Sequence, residues 1–127
     1  MVLVEEIGKR QRASMTARNK LLAAPPYAVE KTLGELGANL RTARLRRNLT
    51  IGEMAEKIGT GVRAVADAEK GKPSTGIAVY AALLWALGLL DQLDVVASPE
   101  RDEEGQMLAL ARERLRARPK TELSNDF

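Results

Sequence analysis

Between residues 49 and 71 the sequence reads LTIGEMAEKIGTGVRAVADAEKG, and its punctuation leaves the chain little freedom. Thr50 is followed three residues later by Glu53, the spacing at which a hydroxyl and a carboxylate satisfy the first free amides of a helix reciprocally. Met54, Ala55 and Ile58 then recur on one face, and Gly59 ends the segment. "GTG" turns the chain into a second short helix over about 61–69, with Val65 and Ala68 directed inward, and Gly71 stops it. The spacing predicts two short helices around a glycine-containing turn.

What surrounds this frame is also helical in pattern. Leu33, Leu36, Leu40 and Ala43 line one face of a helix over about 30–47, whose polar face carries an arginine cluster. "KGKPS" reads as a loop, and a nearly all-apolar helix follows over 75–87. The apolar run at 77–90 (IAVYAALLWALGLL) is too short for a bilayer and is interrupted by Gly88, so a buried helix is expected. Another helix is expected from Gly88 to about Val96. Ser98 is placed to cap a last helix, with Pro99 at its first position and Glu100, Asp102, Glu103 and Glu104 in its first turn. Arg112, Arg114, Arg116 and Arg118 fall in its final turns, and Pro119 is expected to end it. "AAPPYAVE" at 23–30 is a natural break, and the residues ahead of it read as an arm, with a strand at 2–7 or a basic helix at 9–22. The organisation expected is a basic arm or linker over 1–29, a domain over 30–97, a C-terminal helix over 98–118 and a flexible tail over 119–127.

Composition narrows the chemistry. A chain of 127 residues without His or Cys lacks the commonest general base, thiolate nucleophiles and the usual soft metal ligands. No carboxylate or lysine pair stands in for them and no glycine-rich loop cradles a phosphate, so neither an enzyme nor a cofactor or metal site is expected. The absence of Cys suits a reducing cytoplasm. Phe127, Tyr27, Tyr80 and Trp85 are the only aromatics, too few for a surface that binds nucleic acid by stacking bases. "MVLVEEIGKRQR" does not resemble a signal or transit peptide, because Glu5 and Glu6 follow a very short apolar run. The net charge of +3 is unevenly spread: Lys31, Arg41, Arg44, Arg46 and Arg47 face only Glu35 over 31–47, and the chain from Asn48 onward is slightly acidic. A basic front half is what phosphate binding needs, although any single Arg can equally belong to a solvated helix face.

The frame from Thr50 to Gly71, with a basic helix before it and an apolar one after, resembles the Cro/phage-repressor (XRE) type of helix-turn-helix domain over about residues 33–90. The resemblance implies an all-α, five-helix repressor-like bundle, here with an extra C-terminal helix and a flexible N-terminal arm. It also implies that the helix over 61–69 enters the DNA major groove while the preceding one crosses the backbone. Leu49–Thr50 matches the family's apolar-plus-cap entry, Ala55 its small crossing residue, and Glu69-Lys70-Gly71 its exit. Arg44 falls where the family carries an Arg that pairs with the Glu matching Glu69. The other reading leaves both as independent surface charges.

On this pattern the DNA-facing residues are Thr50, Ile51, Thr60, Gly61, Val62, Arg63, Ala66, Asp67, Lys72 and Ser74. Two depart from the family. Ile51 stands where Gln is usual, and Gly61 caps the reading helix more weakly than Ser or Thr. Arg63 can make a bidentate contact to guanine or hold a phosphate, Val62 can touch a thymine methyl, and Asp67 can accept from cytosine at a Coulomb cost near phosphates. One such bidentate contact contributes about 1–3 kcal/mol of discrimination, so a homodimer on a palindromic double-stranded operator is expected to multiply it. Residues 36–127 further resemble HipB-type antitoxins, which implies a HipA-like kinase toxin as partner and autoregulation of a toxin–antitoxin operon. Trp85, Leu89, Leu90 and Leu93 are the candidate face for a dimer mate or toxin, against the simpler reading of Trp85 as core. A stand-alone XRE-type regulator, and an interaction module that no longer binds DNA, remain the alternatives.

Overall fold

The computed structural model describes residues 19–125, with side-chain environments over 19–117. These residues contain helices and no strand. Helix α1 spans Tyr27–Arg46, α2 Ile51–Ile58, α3 Val62–Glu69, α4 Ile77–Leu87, α5 Asp91–Asp94, and α6 Glu103–Asn125, with a 3-10 turn at Pro99–Arg101 before α6. The chain divides into two compact units, Met1–Leu90 and Asp91–Phe127. Of the expected arm, the strand at 2–7 lies outside the described residues. The basic helix at 9–22 is described only from residue 19, where the chain is helical over 19–23.

In the first unit α3 packs against α1, α2 and α4. α1 begins three residues ahead of the expected start, because Pro26 stands at its N-cap, where a missing N–H costs nothing. It ends where Asn48 takes a left-handed φ of 55°, a conformation that Asn tolerates better than most side chains. α2 carries the full capping box: Thr50 Oγ1 accepts from the Glu53 N–H at 3.1 Å, and the Glu53 carboxylate accepts from the Thr50 N–H at 3.3 Å. Gly59, at φ 77°, closes α2, with the Thr60 N–H returning to the Ala55 carbonyl at 2.9 Å. Leu40, Met54, Ala55, Val65, Ala68, Tyr80, Leu83, Leu84 and Leu87 form the core. Deleting one of the larger members removes its transfer energy and leaves a cavity, about 2–5 kcal/mol for a Leu.

Helix α4 is not buried all round. Tyr80, Leu83, Leu84 and Leu87 face the core, whereas Ile77 and Trp85 are 69% and 59% exposed. Apolar composition carries no periodicity here, so it could not tell the inner face from the outer one. The simple core reading of Trp85 is therefore overturned.

The second unit is built differently, and three of its expected boundaries move. The helix expected to reach Val96 is a single turn, Asp91–Asp94. Asp94 opposes the dipole at its C-terminal end, Val95 and Val96 are weak helix formers, and Ala97 takes a φ of 56°. Ser98 makes no capping bond. The cap of α6 is Asp102, whose Oδ1 accepts from the Gly105 N–H at 2.9 Å, while Gln106 Nε2 donates to the Pro99 carbonyl at 2.8 Å. Pro99–Arg101 forms the 3-10 turn ahead of that cap rather than the helix start. Pro119 does not end α6, which runs on to Asn125. The strong helix formers on both sides of Pro119 carry the helix across a position that lacks one backbone bond. No residue from 91 to 117 is buried within this unit.

Candidate nucleic-acid interface

One face of α3 is given entirely to the core: Val65 and Ala68 are both 0% exposed. The opposite face presents Val62, which is 55% exposed, and Arg63, with Ala66 and Asp67 half-buried beside them. Gly61 is exposed in an extended conformation, and no side chain caps the first amides of the helix. Those N–H groups therefore have no side-chain partner at the start of the helix.

Three constraints hold this helix at its C-terminal end. Arg44 Nε donates to Glu69 Oε2 at 2.7 Å and Nη2 to Oε1 at 2.9 Å, a bidentate pair almost closed to solvent. The third donor, Nη1, reaches the Leu49 carbonyl at 2.8 Å and so also fixes the entry to α2. Accepting these bonds, the Glu69 carboxylate raises the Arg44 guanidinium above its ordinary range, against the opposing effect of burial. The second constraint is backbone contact between α1 and the exit of α3. A Cβ on Gly37 would stand 2.5 Å from the Glu69 carbonyl oxygen and 2.7 Å from the Gly71 nitrogen. The third is at Gly71 itself, where φ is 69° and a Cβ would run into the Leu33 carbonyl. Gly37 was missed in the sequence, although a lone Gly inside a strong helical pattern is the signal for such close approach.

Several sequence-predicted contacts are already engaged within the chain. The Thr50 hydroxyl is used in the capping box, and it also donates to Glu53 Oε1 at 3.1 Å. Lys72 Nζ lies 3.2 Å from Asp67 Oδ1, so the acid on α3 carries its own counter-charge. This pairing was invisible in the sequence because it depends on the turn after α3, where the Lys72 N–H returns to the Asp67 carbonyl at 3.1 Å. The Tyr80 hydroxyl donates to the Lys72 carbonyl at 3.4 Å and ties that turn to α4. Ile51 and Thr60 are half-buried, and Ser74 is exposed. Of the arginines in α1 and at its C-cap, Arg44 is spent on Glu69, while Arg41, Arg46 and Arg47 are exposed, Arg47 donating to the Ala43 carbonyl at 2.8 Å. Leu89 is half-buried and Leu90 exposed at the end of the first unit, and Leu93 is half-buried in the second.

The sequence model of a family described as a helix-turn-helix domain matches residues 35–95. A protein of Sinorhizobium fredii (strain NBRC 101917 / NGR234), named as the uncharacterized HTH-type transcriptional regulator y4mF, is 37% identical over 71 residues. That match takes in 56% of this chain and 91% of the relative. The chain belongs to the helix-turn-helix family of transcriptional regulators. The matched family segment runs from the middle of α1 to the residue after α5, so it contains the whole α2–turn–α3 frame of this regulator. The regulator's α6 lies beyond that segment. Among its described residues, no helix is long and apolar enough to cross a membrane.

Proposed function

We propose that this helix-turn-helix regulator is a dimeric DNA-binding transcriptional repressor of the XRE type, and that it serves as the antitoxin of a toxin–antitoxin operon. The observation that carries the DNA-binding part is the two-faced character of α3. One face is sealed against α1, α2 and α4, and the other offers Arg63, Val62 and uncapped amides to solvent. On this reading residues 30–97 form the reading domain, with Thr50, Ile51, Thr60, Gly61, Ala66 and Ser74 flanking the groove contact. Arg41, Arg46 and the basic residues ahead of α1 (Lys9, Arg10, Arg12, Arg18 and Lys20) supply phosphate contacts.

The partner residues proposed are Trp85, Leu89 and Leu90 on the first unit, and Leu93 on the second. The solvent-facing indole supports this, since a large ring left in water on a folded domain marks a surface awaiting a partner. Dimerisation through these residues would set two copies of α3 on a palindrome. A HipA-like kinase toxin is the second partner, and this rests on the HipB-type resemblance of residues 36–127.

The stand-alone regulator is favoured by one finding: the relative that this chain covers almost end to end is named as a transcriptional regulator. The loss-of-binding reading is favoured by another: the Asp67–Lys72 pair removes one cation and leaves a thin reading surface. A mobility-shift titration with the regulator's own upstream DNA tests the groove assignment. Arg63→Ala should weaken binding at every salt concentration, and unchanged binding would sink the assignment. Co-expression with the adjacent open reading frame should give a complex that survives purification. Failure to co-purify would leave the stand-alone regulator.

A further inference from the structure

The outer side of α3 carries one acid, Asp67, whose charge does not serve the helix. Asp67 lies in the last turn, where a negative charge opposes the macrodipole. Its side chain is 25% exposed and outside the core, and among the described residues its ion partner is Lys72, with Nζ at 3.2 Å. Arg63 stands four residues back, at the spacing that lets opposite charges meet on one helix face. It forms no ion pair with another described residue.

Turn geometry decides between the two cations. The Gly71 N–H returns to the Ala68 carbonyl at 3.0 Å and the Lys72 N–H to the Asp67 carbonyl at 3.1 Å, a glycine-closed helix end that sets residues 67 and 72 side by side. An apolar contact commonly accompanies such an end; here a carboxylate and an ammonium meet instead. The Lys72 carbonyl is held as well, by the Tyr80 hydroxyl at 3.4 Å. Lys72 is thus fixed beside Asp67 at both of its backbone groups, and only its side chain, which is 47% exposed, can change partner. The competitor on this side of the first unit is DNA phosphate. Handing Lys72 to a phosphate leaves a largely covered carboxylate without its counter-charge beside a polyanion.

We propose that Asp67 withholds Lys72 from DNA phosphate and so restrains the sequence-independent part of DNA binding. This restraint rests on the DNA-binding reading of α3 and adds a regulating residue to it. Phosphate contacts hold a protein on any sequence, whereas base contacts select one. Taking one cation out of the first group weakens binding to random DNA and leaves a larger share of the affinity to Arg63 and Val62. Asp67 therefore acts on selectivity through Lys72, without touching a base.

Mobility-shift titration of the full chain on a random-sequence duplex, repeated at several salt concentrations, tests this. Asp67→Asn keeps the side chain's shape and removes its charge. The variant should bind more tightly than the parent at low salt, and its plot of log affinity against log salt should be steeper by about 0.9, the signature of one further phosphate contact. Each fourfold rise in salt then costs the variant about threefold more affinity than it costs the parent. Adding Lys72→Met should return the slope to the parent's. Both replacements fall on side chains outside the core, and circular dichroism melts should match the parent's. A parent that binds, beside an Asp67→Asn variant of equal affinity and slope, overturns the restraint alone. So does a steeper slope that survives Lys72→Met, because the carboxylate then acts through Arg63 or on the DNA directly. If none of the three proteins binds the duplex at low salt, the DNA-binding reading falls together with the restraint.

Discussion

Helices α4 and α6 carry similar apolar side chains but meet opposite fates. In α4, Tyr80, Leu83, Leu84 and Leu87 disappear into a core that four helices share. In α6, Met107, Leu108, Leu110 and Leu115 stay in water, and the residues from 91 to 117 build no buried centre at all. Hydrophobic content therefore does not make a core; convergence of several faces does. The first unit closes a buried core, whereas the described residues of the second close none.

Substitutions can break that contrast at graded depth. The largest effect is expected at Gly37, where a side chain would have to displace the backbone at the exit of α3. Gly37→Val should leave no cooperative thermal transition by circular dichroism, and a well-folded Gly37→Val chain would show that α1 and α3 are not in backbone contact. Arg44→Ala comes next. It strands a buried carboxylate and a carbonyl, at about 3–5 kcal/mol, whereas replacing both Arg44 and Glu69 by apolar residues of similar volume should cost far less. Urea titrations of the three proteins separate the two outcomes.

Leu83→Ala and Leu115→Ala test the comparison directly. The first should lose about 2–5 kcal/mol in urea unfolding at low protein concentration. The second should stay within about 0.5 kcal/mol, because the side chain it truncates is already in water. Equal losses would mean that α6 belongs to the same cooperative core. Between these pairs sits Arg63→Ala, neutral for stability and expected to weaken operator affinity by about 1–3 kcal/mol in a mobility-shift titration.

What could be read in advance followed the range of each interaction. The Thr50–Glu53 box and the Gly59 exit were legible because their partners lie within one turn of sequence. The outward position of Val62 and Arg63 followed from the inward one of Val65 and Ala68 by helical period. The close approach at Gly37 and the open side of Trp85 were not legible, since each depends on where another segment arrives in space, and the Asp67–Lys72 pair was not, since it depends on the geometry of the turn after α3. The far end of the chain misled for a different reason. Ser98 and Asp102 compete as caps with similar chemistry, and only the geometry of the intervening 3-10 turn decides for Asp102.

The fastening of α3 has a mechanical consequence. Its last residue is clamped by a two-pronged charge contact, and two glycines at the same place let the backbones of α1 and α3 touch. A rod held at one end against bare backbone has no slack in which to tilt or slide. In the proposed complex with DNA, α3 would be the stiff member, and the width and bend of the groove would be the adjustable quantities.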